Sequence, residues 1–419
     1  EGERGREAVR RRERAWRGGK RSGERKGSRV QGRRRRPERV QTRGRRLVEI
    51  RSEGATEEST SASLPLPSAA LFYSLSLIVT CPSFKPTGQQ ALHFPFLFLS
   101  AARALPLMPH SDYQKIEVVG EGTFGVVTRA KVLKTGQIVA IKKIRSRASR
   151  KGAELATLRE TMLLQELRHP HVIELLEAYT HNGSLSLVFE FCVTDLEKII
   201  RDRTAPLDVS RIKGYLVGAF RGLAFCHASW VLHRDLKPGN LLLTSAGLVK
   251  LADFGLARFF GSPGRKFTGQ VVTRWYRPPE LLFGAKFYGP SVDLWSMGCI
   301  FAELMTRAPL FPGTSDIDQL SRIFSITGTP NETSWPDVSK LPDYVPFKEM
   351  EPTPLAPRFP AASAAAIDFL GSLINLDPMK RPTAEEALKH TFFEQAPTPA
   401  SHKELVVLRD KRGEKRALG

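Results

Sequence analysis

The stretch Val231–Arg258, VLHRDLKPGNLLLTSAGLVKLADFGLAR, constrains the fold more than any other part of this 419-residue chain. It sets two aspartates, Asp235 and Asp253, each in a short polar motif beside an apolar run. His233-Arg234-Asp235, Lys237 and Asn240 precede Leu241-Leu242-Leu243, and Val249–Leu251 leads directly into Asp253-Phe254-Gly255. Both apolar runs have the length of short buried strands, and Ser245-Ala246-Gly247 supplies the turn between them. Such a hairpin brings the two aspartates to one side of a cleft. One aspartate near a turn is ordinarily a solvated side chain, but a full set at these separations rarely arises by chance.

A carboxylate that accepts a hydroxyl proton, a cation beside it and two hard oxygen ligands suit phosphoryl transfer, in which the protein mainly positions groups and holds Mg²⁺. In that chemistry Asp235 receives the hydroxyl, Lys237 neutralises the moving phosphoryl group, and Asn240 and Asp253 ligate the metal. H-R-D-x-K-x-x-N followed by D-F-G resembles the eukaryotic protein kinases. The resemblance implies an α+β, two-lobed fold, with a small five-stranded antiparallel sheet lobe holding one main helix and a larger, mostly helical lobe. It also implies ATP and Mg²⁺ as cofactors. Lys237 between Asp235 and Asn240 favours serine/threonine over tyrosine substrates.

The region from Tyr113 reads as strands. Gly120-Glu121-Gly122-Thr123-Phe124-Gly125 lies between two of them, the context of a hairpin lying over phosphates and not of a strand-to-helix dinucleotide loop. Lys142, in Val139-Ala140-Ile141-Lys142, falls out of step with its apolar neighbours. By resemblance it grips the α/β-phosphates and pairs with Glu160 on a helix expected over 151–167. Strands are expected at Ile173–Leu176 and Leu185–Phe191. Phe189, Glu190, Phe191 and Cys192 match the segment whose backbone holds an adenine, and Val127 and Ala140 complete the implied nucleotide pocket.

Gly152–Glu160 sits where cyclin-dependent kinases carry their cyclin-binding helix; its Ala-x-x-Arg-Glu ending fits, and its start departs from the usual consensus. Thr268, in the segment between Asp253 and Pro278-Pro279-Glu280, is the expected regulatory phosphosite. Arg159, Arg234 and Arg258 stand in matching places to pair with its phosphate. Ser262, before Pro263, is a second candidate. Further stretches narrow the resemblance to the kinases that activate other cyclin-dependent kinases: Leu163–His169, Ser186–Phe189, Phe260–Pro263, Gln270–Arg277, Glu280–Ala285 and Pro342–Val345. That subfamily implies a cyclin partner and often a third assembly subunit. Its implied substrates are the activation segments of cyclin-dependent kinases and the RNA polymerase II repeat tail, its place the nucleus with the cytoplasm as a second compartment.

In the expected large lobe, residues 208–229 carry Ile212, Tyr215, Leu216, Ala219, Phe220, Leu223 and Cys226 at helical spacing. Ser291–Met305 reads as an apolar central helix with Asp293 beneath the catalytic loop, and Glu280 is expected to pair with Arg381. The Pro-rich loop Pro330–Pro360 reads as surface, and Ala362–Asn375 and Thr383–His390 as closing helices. The expected boundaries are an extension at 1–107, a kinase domain at 113–393 (small lobe 113–191, large lobe 192–393) and a flexible basic tail at 394–419.

Charge bears on the extension. Residues 1–51 hold 21 Lys+Arg against 7 Asp+Glu, so +14 of the net +21 lies there, without apolar periodicity; the segment reads as disordered. Nuclear import and contact with nucleic-acid phosphates are the functional readings, and no aromatic interleaving supports sequence-specific recognition. Since the first methionine is Met108, a further reading places 1–107 in translated leader sequence. The uncharged stretch 59–84 has an apolar part of only Ala69–Cys81, too short to span a membrane, and no membrane association is expected. Cys81, Cys192, Cys226 and Cys299 are scattered and read as buried thiols in a reducing compartment. A catalytically silent scaffold that docks a cyclin is the alternative function. Silent relatives usually lose the strand lysine or one of the aspartates, and Lys142, Asp235 and Asp253 are all present.

Overall fold

The computed structural model describes residues 112–122, 125–144, 161–181, 184–204, 207–261, 267 and 271–405. The expectations for the extension 1–107, Cys81, Arg159, Glu160, Ser262, Thr268 and the basic tail beyond 405 lie outside these residues. Five strands form the small lobe: β1 (Tyr113–Gly122), β2 (Gly125–Val132), β3 (Ile138–Ile144), β4 (Leu175–His181) and β5 (Ser184–Glu190). They make one antiparallel sheet in the order β1-β2-β3-β5-β4.

Strand alternation divides the sheet into two faces. Ala130, Val132, Val139, Ile141, Tyr179 and Val188 pack as a small core on one face. On the other, register sets Val127 opposite Lys142, Lys142 opposite Leu187, and Ala140 opposite Phe189. Thus the polar lysine that broke the apolar pattern lies with Val127 and Ala140 on the face turned from that core. β4 corrects the expected Ile173–Leu176: it starts at Leu175 and runs to His181. Glu177 hid the pattern, because its buried carboxylate is matched from β1 by the Tyr113 hydroxyl. Of the main helix expected over 151–167, residues 161–166 are helical and the residues before 161 lie outside those described. Leu163, Leu164 and Leu167 bury against the large core.

After β6 (Thr194–Asp195) and α1 (Leu196–Arg201), the long helix α2 (Val209–Ala228) begins where Asp208 accepts the Arg211 amide at 2.9 Å. The seven residues read as its core face are all buried. The hairpin follows, with β7 (Val231–Leu232), then β8 (Leu241–Leu243) antiparallel to β9 (Val249–Leu251), and β10 (Arg258–Phe259) returning to pair with β7. Further on come α3 (Pro279–Leu282), α4 (Ser291–Thr306), α5 (Asp316–Thr327), α6 (Ala364–Leu373), α7 (Ala384–Leu388), α8 (Thr391–Glu394) and α9 (His402–Leu405). α4 is buried nearly all round, as its apolar sequence requires.

The loop Pro330–Pro360 is mostly exposed, as expected, and is anchored at Trp335, Val338 and Phe359, all buried, with Trp335 packed against Phe283. One expectation for the large lobe changes. Residues 395–405, expected to begin a flexible tail, instead pack along α2. The Lys213 ammonium, 1 % exposed, donates to the Gln395 and Pro397 carbonyls at 2.5 and 2.8 Å. Ser210 and Tyr215 donate to the Thr398 and Leu405 carbonyls. Backbone acceptors carry no side-chain signature, so this docking was invisible in the sequence. Cys226 and Cys299 are buried free thiols as expected, and Cys192 is only partly buried.

Glu280 and Arg381 form the expected pair, bidentate at 2.7 and 2.8 Å, with the guanidinium stacked over Trp295. It ties α3, at the end of the activation segment, to the loop before α7. Both side chains are buried, so removing one leaves an uncompensated charge. Arg381→Ala is expected to lower stability by about 3–5 kcal/mol, measured by denaturant unfolding at neutral pH.

Candidate active site

The catalytic loop hangs from a buried carboxylate. Asp293, at the start of α4, is fully buried; its two oxygens accept the His233 and Arg234 amides, each at 2.9 Å, and Oδ2 also meets His227 Nε2 at 2.9 Å. Burial alone would raise this carboxyl's pKa, but the His227 bond and ring, then His233 and the Arg234 amide, outweigh it and hold the pKa below the ordinary value. Arg234 has a left-handed φ of 66°, which turns the chain between His233 and Asp235. The His233 ring meets the Ala252 carbonyl through Nε2 at 3.0 Å and the Asp235 amide through Nδ1 at 3.2 Å. One ring therefore joins the segment carrying Asp235 to the residue just before Asp253.

Around Asp235 the side chains converge. Asn240 donates to the Asp235 backbone carbonyl at 2.8 Å and to Oδ2 at 3.2 Å, and Lys237 reaches Oδ2 at 3.1 Å. Thr273 donates to Oδ1 through its hydroxyl at 2.9 Å and its amide at 3.2 Å. Thr273 escaped the sequence reading: it lies 38 residues downstream, and no local spacing announces the contact. Arg277 braces that segment by donating to the Val271 and Val272 carbonyls, at a point where Val272 takes a left-handed φ of 68°.

Across the cleft, Lys142 lies 3.3 Å from Asp253 Oδ1. Burial acts to raise the Asp253 pKa, but the Lys142 charge and hydrogen bond prevail, so it lies below the ordinary aspartate value. Asp253 also adopts a left-handed φ of 65°, which aims its side chain while Phe254 buries against the His233 ring.

The residues fit a magnesium nucleotide. Asn240 spends its amide nitrogen on Asp235, which leaves its Oδ1 as the oxygen that could ligate a cation. Asp253 supplies a second oxygen of lowered basicity. Among the described residues no group of three or more His, Cys, Asp or Glu could hold a metal. Two oxygen ligands suffice for Mg²⁺, which keeps waters and takes phosphate oxygens for the rest. The two glycines that can be tested differ. A Cβ on Gly120 would meet only Val127, at 3.9 Å, leaving open space for phosphate approach, whereas one on Gly125 would lie 2.1 Å from the Lys143 carbonyl. Gly125 is thus required by β2–β3 pairing as well. Glu121 is exposed, and the hairpin tip 123–124 lies outside the described residues. At the end of β5, Glu190 pairs with Lys250 at 2.6 Å, tying the segment expected to meet an adenine to β9. Burial raises the Cys192 thiol pKa to about 12.

Of the expected phosphate-pairing arginines, Arg234 is buried and donates to the Leu256 carbonyl and the Tyr288 hydroxyl, each at 2.8 Å, with its guanidinium over Phe267. Arg258 donates to the Ala257 carbonyl at 2.8 Å. The structure describes neither Arg159 nor Thr268, so their meeting lies outside it.

A two-lobed fold with a lysine and an aspartate facing across the cleft is that of a protein kinase, and the family model "Protein kinase domain" matches residues 113–393. The chain belongs to that family. It is 53% identical over 287 residues to cyclin-dependent kinase D-1 of Arabidopsis thaliana, covering 68% of this chain and 72% of that protein. It is 50% identical over 303 residues to cyclin-dependent kinase 7 of Xenopus laevis, covering 71% and 86%. Among solved structures, the CAK complex of Chaetomium thermophilum bound to ATP-γ-S aligns at 40% identity with a TM-score of 0.67, covering 70% of this chain and 94% of that one. The chain is an ATP-dependent, Mg²⁺-requiring serine/threonine kinase of the cyclin-dependent group.

The Lys142–Asp253 pair makes stability pH-dependent. Because the folded-state pKa of Asp253 is lowered, the pair stabilises the protein above the unfolded value of about 4, and that contribution is lost as pH falls through the folded value. Lys142→Met is therefore expected to destabilise at pH 7 and to differ less from wild type as the pH falls below about 4, checked by urea unfolding at both pH values.

Proposed function

We propose that this kinase phosphorylates the activation segments of other cyclin-dependent kinases and the repeat tail of RNA polymerase II, in a complex with a cyclin and a third assembly subunit. The observation that carries the catalytic part is Asp235, held on both oxygens by Lys237, Asn240 and Thr273, at the mouth of the cleft closed by Lys142 and Asp253. In this reading Asp235 accepts the proton of the substrate hydroxyl, Lys237 neutralises the transferring phosphoryl group, and Asn240 and Asp253 hold the metal. Gly120, Glu121, Gly122, Gly125, Val127, Ala140, Lys142, Phe189, Glu190 and Cys192 surround the nucleotide, and Glu160 orients Lys142. What supports the substrate class is kinship: the similar proteins are named cyclin-dependent kinases, and the similar structure is a CAK complex.

Phosphorylation of Thr268 orders the activation segment against Arg159, Arg234 and Arg258 in this proposal, with Ser262 as a second site. Nuclear residence is proposed on the basic runs Arg33–Arg36, Lys411-Arg412 and Lys415-Arg416. Asp235→Asn is expected to abolish phosphate transfer to a cyclin-dependent kinase substrate while the melting temperature stays within a few degrees of wild type. Transfer at the wild-type rate would remove Asp235 from the mechanism, and the scaffold reading would then be the better one. Purification from the native source with mass spectrometry is expected to recover a cyclin and a Thr268 phosphopeptide; a preparation active without any cyclin would refute the partner.

A further inference from the structure

β9 is a short strand with every residue buried, and its middle residue is a lysine. Val249 and Leu251 face α2, where a Cβ on Gly218 or Gly222 would come within 3.0 and 3.1 Å of them. Strand alternation sends Lys250 to the opposite face. A buried ammonium needs a partner, and Lys250, 7 % exposed, finds it in Glu190 Oε1 at 2.6 Å. The same oxygen accepts the Glu174 amide at 2.9 Å, and the Glu190 amide donates to the Glu174 carbonyl at 3.2 Å. The last residue of β5 is thus fastened by side chain and backbone together.

Further along, the Val193 amide donates to the Leu243 carbonyl of β8 at 2.7 Å, and Leu243 pairs with Val249 in the hairpin. Residues 190–193 are therefore attached at both ends to the β8–β9 hairpin. That hairpin carries Asn240 immediately before β8 and Asp253 just beyond the end of β9. The attachment at Val193 uses backbone alone, and any sequence could make it. The one at Glu190 depends on two particular side chains, and no role assigned to the site above uses Lys250. Both charges reach Cys192, between the two attachments: burial chiefly raises its thiol pKa, Glu190 adds to the rise and Lys250 opposes it.

We propose that Lys250 is a positioning residue for the nucleotide: through Glu190 it fixes where residues 189–192 stand relative to Asn240 and Asp253. This rests on the reading that 189–192 meets the adenine. A nucleotide whose base and phosphates are both held from one hairpin depends on the rigidity of that mounting, so loosening Glu190 costs affinity at the base end.

The test measures displacement of N-methylanthraniloyl ATP from the full chain, with Mg²⁺ present, by ATP, by adenosine and by tripolyphosphate. Lys250→Met is expected to weaken ATP and adenosine about tenfold each and to leave tripolyphosphate unchanged. In peptide phosphorylation the same loss is expected in KM for ATP, with kcat at saturating ATP within about twofold of wild type. Because Lys250→Met strands a part-buried carboxylate, the Glu190→Gln/Lys250→Met double variant is measured beside it and is expected to match it. Wild-type affinity for ATP in the double variant would overturn the proposal, since the stranded charge and not the lost tie would then account for the single variant. A fall in kcat with KM unchanged, or equal weakening of tripolyphosphate, would overturn it too. Failure of the adenine reading looks different: adenosine would not displace the probe from the wild-type chain, and the proposal would fall with that reading.

Discussion

Asp293 is a carboxylate with no exposure to water, and it is tolerable there only because three donors converge on it. An isolated buried charge would cost far more than a folded domain has to spare, so the ion survives only with its hydrogen bonds intact. Two of the three donors are backbone amides of the catalytic loop itself. Satisfying the charge and shaping the loop are therefore one event. The left-handed Arg234 follows from it, since the chain must turn sharply to present consecutive amides to one carboxylate. Asp235 is aimed by this constraint before any ligand arrives.

The same logic of short bonds between distant segments runs through the site. His233 joins the catalytic loop to Ala252, Asn240 joins it to itself through the Asp235 carbonyl, and Thr273 brings in the activation segment. Lys142 then crosses from the small lobe to Asp253. These groups come from four stretches of chain, yet each is fixed by a partner that is itself fixed. Phosphoryl transfer relies on such positioning, because the protein contributes electrostatics and geometry and little covalent chemistry.

Arg234 shows how one residue serves two regions. It lies between Asp235 and the activation segment, with its amide on Asp293 and its guanidinium on Leu256, Tyr288 and the Phe267 ring. The Glu280–Arg381 pair fixes the far end of that segment to the large-lobe core. The activation segment is thus held at both ends by buried charge, and the residues expected to carry its regulatory phosphate fall between those ends.

The order of residues alone determined the class of chemistry, because phosphate, metal and hydroxyl demand particular side chains at short spacings on either side of a tight hairpin; the two-lobed fold followed from the family resemblance those residues carry. Lys142 was legible as the polar break in an apolar strand, α2 and α4 by their apolar periodicity, and Asp293 and the Glu280–Arg381 pair by resemblance. Thr273 on Asp235, the seating of Trp335 and Phe359, the full length of β4 and the docking of residues 395–405 became visible only in the folded chain. Those features depend on partners far away in sequence, or on backbone carbonyls that every residue possesses. Local pattern records which groups a residue can bond; only the packed structure decides which group is there to receive it.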